Sequence, residues 1–329
     1  MNDDLSVFHR GFRPGLERVP PGRPARPSSH SASDYCPSSS PADGTMTATG
    51  SDTAVRELPR DSDGLATTDE ALTTLRERLP PFLEQLVADA GADGLVVRLD
   101  GSVETTVAAT LAVDAIGEEH VTGLVMPAFI SHEAIARNAE TVAESLGIEH
   151  SRLQLQPVLA AVQGAVGESD GPVDDAIATN NMLSRLRMAC TYYVANTSNL
   201  LVVGPIDRTR YLLGSATKYG ETAADCLLFG DLYQTEVRAL ARHIGIPEDL
   251  TFETAGSPLY DGQSAIEQLD VPPETVDRIL RLRFDQEVER ATVADRLEVD
   301  PELVDRLDEW CVRTRHKRQQ PPTPGVDRC

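Results

Sequence analysis

Between Gly94 and Gly117 the chain reads GLVVRLDGSVETTVAATLAVDAIG. Leu95 to Val97 form an apolar run suited to a buried strand, and Asp100-Gly101-Ser102 follow as a tight turn. Val103, Val107, Leu111 and Ala115 then recur at helical spacing. A strand that turns tightly into a helix leaves the first helical amides unpaired and aimed outward, the usual mouth for a phosphate-bearing ligand. An ordinary βα turn has the same outline, so the chemistry rests on what the rest of the chain brings to this mouth.

The composition narrows the possibilities. The 329 residues suffice for a full core in one or two domains. A net charge of −22 argues against a nucleic-acid binder, because a phosphate backbone would be repelled. There is no apolar run long enough to span a bilayer and no apolar signal-peptide core, so a cytoplasmic location without membrane partners is expected. Five cysteines (Cys36, Cys190, Cys226, Cys311 and Cys329), odd in number and without CxxC spacing, fit free thiols rather than a zinc site or a disulfide framework. Lysine occurs only at Lys218 and Lys317, against 28 arginines. An acid-rich surface nearly stripped of lysine points to a salt-rich cytosol, where self-repulsion is screened, ahead of the alternative, arginine codons favoured by a GC-rich genome.

The elements that must position a site can be read in order. Residues 1 to 64 read as a disordered extension, Pro-, Ser- and Arg-rich over the first 45, with Met46 a candidate translation start. A domain is expected over 65–318, followed by a disordered tail at 319–329. Thr68 suits the N-cap of a first helix; Pro80-Pro81 should interrupt it and start a second, ending at Gly91. After the central unit come a strand at 121–126, a helix at 133–146 and a short strand near 153–155. A long helix at 176–197 and a strand at 200–203 follow. Residues 214–231 read as a functional loop, 234–244 as a helix, and 272–317 as two or three charged amphipathic helices. Strands alternating with helices predict an α/β fold, a doubly wound parallel sheet with a helical C-terminal part.

Four further stretches carry a resemblance: NMLSRLRM at 181–188, TKYGETAAD at 217–225, GDLYQTEVRALARHIGIPE at 230–248 and HKRQQPP at 316–322. In this order and spacing, over about 250 residues from Leu72 to Pro322, the chain resembles the ammonia-dependent NAD+ synthetases of the N-type ATP pyrophosphatase superfamily, in a divergent form of haloarchaeal type. The resemblance implies a Rossmann-like, adenine-nucleotide alpha-hydrolase-like fold and dimerisation through long helices. It also implies adenylation of deamido-NAD+ by ATP and Mg2+, followed by attack of ammonia to give NAD+. Such a reaction needs amides for the pyrophosphate, a metal for its charge and cations for the developing oxyanion. With no glutaminase domain, the nitrogen donor would be free ammonia or another chain's product.

Carried over by position, the deamido-NAD+ contacts are Arg185, Lys218, Asp225, His316 and Lys317. Both lysines of a lysine-poor chain fall on these positions, where arginine would otherwise be expected. The ATP side departs from the pattern. The family's S-G-G-x-D-S loop is Asp100, Gly101, Ser102, Val103, Glu104 and Thr105 here. Asp100 sets a negative charge where phosphate oxygens approach, and Ser102 crowds a glycine position. Glu104 keeps a carboxylate at one family metal position, one methylene longer, while Arg210 reverses the charge at the second. Pro205 replaces an ATP-contacting threonine, Gln234 replaces a lysine, and Gly256 falls in a segment that has lost its motif.

These residues leave three expectations. The chain is a member of this family binding deamido-NAD+ or NAD+, with ATP-dependent catalysis lost. Alternatively it is an active synthase with an unusual phosphate site, using ATP and Mg2+. A third possibility is a non-catalytic sensor or partner subunit, forming a homodimer or a heterodimer with a related synthetase chain.

Overall fold

The computed structural model describes residues 58–62, 64–129, 133–166, 176–247 and 271–324. Five strands form one sheet: β1 (Gly94–Leu99), β2 (Val121–Val125), β3 (Glu149–Arg152), β4 (Leu200–Asp207) and β5 (Cys226–Phe229). They lie in the order β3-β2-β1-β4-β5 with every pairing parallel. Alternate residues of β1 enter different layers, as a sheet covered on both faces requires. Leu95, Val97 and Leu99 pack with α1 (Asp69–Ala90), α2 (Val103–Ile116), α3 (Glu133–Ser145) and α7 (Gln234–His243). Val96 packs the other way, with Leu124, Val202, Leu159 of α4 (Gln156–Val166) and Leu183 of α5 (Ala176–Ser198). The doubly wound parallel sheet expected from the sequence is the fold found.

A third apolar cluster joins α6 (Arg208–Leu213) to the helical C-terminal part, α8 (Pro273–Leu280), α9 (Arg290–Leu297) and α10 (Pro301–Thr314). Of three buried carboxyls, Asp277 ties this part to α6 and α7, Asp308 braces it internally, and Glu236 of α7 holds the segment before α1. Asp277 accepts from the Thr209 hydroxyl (2.6 Å) and the Thr235 amide (2.8 Å). Glu236 accepts from the amides of Tyr233 and Ala66, and Asp308 takes Arg283 and Arg290.

Several boundaries differ from the sequence reading. Pro80 and Pro81 do not break the first helix; both lie inside α1. The stripe Leu72, Leu75, Leu79, Leu83 and Leu86 runs in register through them against the core, and that packing outweighs a proline cost of about 3 kcal/mol. The third strand is Glu149–Arg152, not 153–155. As a mostly exposed edge strand it lacks the apolar signal that drew attention to its neighbours. β4 runs on to Asp207, through Pro205, because its register with β5 shifts between Gly204 and Asp207 and frees that position from the ladder. β5 itself lies inside the stretch read as loop, and α4 and α6 have no counterpart in the sequence reading.

Candidate functional site

β1 is flanked by β2 on one side and β4 on the other, so the order in which successive strands are added reverses between β1 and β4, all strands remaining parallel. Ligands of open parallel sheets bind at such a point, outside the carboxyl ends of the strands. The turn Asp100-Gly101-Ser102 lies there. Gly101 has φ +75°, a left-handed conformation in which a side chain would be strained. Ser102 is the N-cap of α2, its hydroxyl accepting from the Thr105 amide (3.3 Å).

The turn is turned inward on Asp100. Its Oδ1 accepts from the Ser102 amide (3.1 Å) and the Thr105 hydroxyl (3.0 Å), and Oδ2 pairs with Arg98 (3.3 Å). Burial would raise this carboxyl, but Arg98, the Ser102 bonds and more distant Arg210 together hold it below the usual carboxylate range. A resident carboxylate therefore occupies an amide that a phosphate oxygen would use.

A mixed-charge cluster surrounds the turn. Glu104 is buried, and Asp207, fully buried, caps α6 by accepting from the Arg210 amide (2.8 Å). Its other oxygen, Oδ2, has no hydrogen-bond partner. Burial first, then the neighbouring Glu104, push the Asp207 carboxyl up to about 7. Arg210 stands within electrostatic reach of Asp207, Glu221, Glu104 and Asp100; burial opposes its charge, and the four carboxylates more than offset that. Among the described residues, it forms no direct ion pair. No group of three or more His, Cys, Asp or Glu side chains in the described residues is arranged to hold a metal ion. With a guanidinium set against Glu104 and Asp207, the residues present do not suit a divalent cation as they stand. Gln234 is buried and its main-chain N–H donates to Thr209 Oγ1 (2.9 Å), while Pro205 has no main-chain N–H to offer. Gly256 lies outside the described residues.

The other half is assembled from α5, the loop after α6 and the segment after α10. Arg185 Nε donates to the Lys218 carbonyl (3.2 Å), Lys218 Nζ to the His316 carbonyl (2.8 Å), and Lys317 Nζ to the Gly214 carbonyl (2.6 Å). Four of the five positions expected to contact a dinucleotide thus lie together. Asp225 is turned elsewhere: its oxygens accept from Tyr192 of α5 (2.9 Å) and the Val202 amide of β4 (2.7 Å), which ties helix to sheet. The loop can lie this close because residue 220 is glycine; a Cβ there would sit 2.1 Å from Ser184 Oγ.

Three residues that the sequence reading did not single out join the halves. Glu221 accepts from the Thr217 amide (2.9 Å) and, against burial, is held ionised by Arg98 and Arg210. It also faces Lys317, whose charge burial disfavours and Glu221 supports. Arg98 has a buried Nε without a hydrogen-bond partner. Arg187, on the buried face of α5, donates to the Met126 carbonyl (3.2 Å) and is pushed down to about 10 by burial and by Arg98. An arginine at position 98, inside a run otherwise apolar, was the signal available in the sequence.

Fold and geometry thus define a parallel α/β protein with a cluster of charged residues at the switch point of its sheet and a segment after α10 clasped beside it. The chain belongs to the NAD synthase family, whose model matches residues 75–321. It is 34% identical over 253 residues to the NH3-dependent NAD+ synthetase of Halobacterium salinarum, covering 77% of this chain and 93% of that one. It is 33% identical over 261 residues to the enzyme of the same name from Methanocaldococcus jannaschii, covering 78% and 98%. Among solved structures, the NH3-dependent NAD synthetase of Campylobacter jejuni, in complex with a nitrate ion, superposes with a TM-score of 0.64. It is 24% identical and covers 77% of this chain and 98% of that one. The NMN synthetase of Francisella tularensis gives 0.65 at 24% identity, over 78% and 99%. These two likenesses concern the fold.

Proposed function

We propose that this chain binds the dinucleotide of its family's reaction, deamido-NAD+ or NAD+, and has given up ATP-dependent activation. The observation that carries the reading is Asp100, whose carboxylate engages the Ser102 amide and the Thr105 hydroxyl at the start of α2. Phosphate approaching there meets a like charge as well as an amide already used. Arg210 supports the same reading from the cation side, since it takes up space and charge beside the two carboxylates a metal would need. The dinucleotide half keeps Arg185, Lys218, His316 and Lys317 together, so loss is confined to one side of the site. No catalytic residue is assigned. In this reading the protein acts in a salt-rich cytoplasm, as a homodimer or paired with a related synthetase chain.

Calorimetric titration with deamido-NAD+, and separately with Mg-ATP, tests the reading: heat is expected for the first and little or none for the second. A turnover assay with deamido-NAD+, Mg-ATP and ammonium in high salt should give neither NAD+ nor AMP. Robust turnover would overturn the reading.

One observation favours the second reading, a working ammonia-dependent synthetase. Glu104 and Asp207 are close enough to repel, and Asp207 Oδ2 is unpartnered. Magnesium is commonly held by only one or two carboxylates plus water and phosphate. The turnover assay decides between the two.

A further inference from the structure

The side chains just after α10 are turned onto the open end of α6. A helix leaves its last carbonyls without partners of its own, and α6 is only six residues long. The amides of Gly214 and Ser215 take the carbonyls of Tyr211 (3.2 Å) and Arg210 (3.1 Å). The Leu212 carbonyl accepts from Arg318 Nη1 (2.6 Å), and the Gly214 carbonyl from Lys317 Nζ (2.6 Å). Arg318 Nη1 also lies 3.2 Å from the Tyr211 carbonyl and 3.1 Å from Thr314 Oγ1, while Nη2 donates to the Cys311 carbonyl of α10 (2.7 Å). Tyr211 closes the circuit, its hydroxyl donating to the Arg318 carbonyl (3.4 Å). One guanidinium thus joins the carboxyl ends of two helices, where the helix dipoles also favour a cation. Its planar fork serves both ends at once; a lysine would bring a point charge without that fork.

We infer that Arg318 is a positioning residue for the dinucleotide that acts through Lys317: by fixing the turn after α10 to the end of α6, it holds the neighbouring ammonium at the site. This rests on the reading that Lys317 meets the dinucleotide. Arg318 and Lys317 are adjacent in sequence and grip carbonyls two residues apart at one helix end, so the hold of the first sets where the stem of the second runs. Lys317 needs that hold, because burial disfavours its charge where it lies, with Glu221 and Arg185 within electrostatic reach. A freed turn would release the ammonium to water, with a gain in side-chain entropy. Arg318 itself has no part in contacting the ligand; its donors face the carbonyls of Tyr211, Leu212 and Cys311.

A double-mutant cycle of Arg318→Met and Lys317→Ala tests this, read by calorimetric titration of the full chain with deamido-NAD+ and with NAD+ in high salt. Arg318→Met alone is expected to weaken binding by about tenfold, the scale of losing one charge-assisted hydrogen bond. In the Lys317→Ala background the same change should weaken it by less than about twofold, because the group it positions is gone. Arg318→Met that binds like the unaltered chain would overturn the inference. So would losses that multiply in the double variant, which is what a general brace, or a long-range attraction to an anionic ligand, gives. Thermal melts check that each variant is folded. Should Arg318→Met not fold, Arg318→Lys answers the same cycle, with a loss of about threefold that again vanishes without Lys317. An unaltered chain that binds neither dinucleotide would remove the dinucleotide reading and the inference with it.

Discussion

Lys218 and Lys317 each donate to a main-chain carbonyl on the segment that carries the other. Lys218 reaches the His316 carbonyl, and Lys317 reaches the carbonyl of Gly214, four residues before Lys218. The two lysines of the chain therefore clasp the loop after α6 to the segment after α10. Each ammonium has three N–H donors, so one bond to the protein leaves two for a ligand. The clasp holds those donors where phosphates or ribose hydroxyls of a dinucleotide could meet them.

Replacing either lysine by alanine should weaken dinucleotide binding by about 1–3 kcal/mol, the usual range for a charge-assisted hydrogen bond. Hydrogen exchange at 214–222 should also rise in the free protein, because the clasp is lost without any ligand present. Unchanged exchange together with unchanged affinity would mean that the lysines only decorate the surface.

The phosphate loop should be recoverable only as a unit. Asp100→Ser, Ser102→Gly, Glu104→Asp and Arg210→Glu together are expected to produce measurable Mg-ATP binding by calorimetry, whereas each single reversion stays silent. Asp100→Ser alone still leaves Arg210 beside Glu104 and Asp207, and Arg210→Glu alone adds a carboxylate to an already acidic cluster. A single change that restored full binding would contradict this coupling.

Acid–base behaviour offers a separate check. Asp207 is raised to about 7 and Asp277 to about 6, each chiefly by burial, and Glu236 is raised as well. A carboxyl that holds its proton more tightly when folded favours the folded state at low pH. That advantage is lost as pH climbs from its unfolded value, near 4, through its folded value. In constant high salt, stability should therefore decline between about pH 4 and pH 7 as far as these groups decide it, and level off above. Asp207→Asn keeps the helix cap and removes the repulsion from Glu104. It should raise stability at pH 8 by on the order of 1 kcal/mol and flatten the decline, as read by thermal melts. An unchanged slope would show that Asp207 is ionised without penalty.

The long helix α5 buries Asn180, Leu183, Ser184, Arg187, Thr191 and Ala195 against the sheet side, yet leaves Ile177 and Tyr193 65% and 74% exposed. The face of α5 carrying Met182, Leu186, Ala189 and Tyr193, none of them fully buried, is the one expected to meet a second copy. Light scattering in high salt should report a dimer, and Tyr193→Glu should shift it toward monomer without lowering the melting temperature of the monomeric unit. A wild-type monomer at micromolar concentration would refute the expectation.

Much of the fold was legible because its strands are apolar on both faces. β1, β2 and β4 could be read from Leu95, Val121 and Leu200 onward, since parallel strands between helical layers have no polar alternation to blur them. β3 was misplaced because Glu149 to Arg152 carries no such signal; its pairing with β2 makes it a strand. The prolines of α1 misled because local chemistry says break, while the leucines on its inner face say continue. In the site, the lysines stood out through rarity. Glu221 and Arg187 did not, since nothing in TKYGE or SRLR tells that the side chain will be drawn into one buried cluster; that depends on which strands end beside them. Asp225 was expected in the site by position only; its bonds to Tyr192 and Val202, which tie helix to sheet instead, become visible only in three dimensions.

At Gly214 the chain passes so close to α10 that an added Cβ would lie 2.3 Å from Thr314, and the glycine itself is left-handed at φ +64°. This close passage sets a temporal order during synthesis. All five strands and the phosphate-loop turn leave the ribosome before Lys317 exists, so the sheet can assemble around a pocket that still lacks one of its walls. The lysine-bearing half therefore stays open during synthesis until the last residues of α10 and the turn beyond it have emerged.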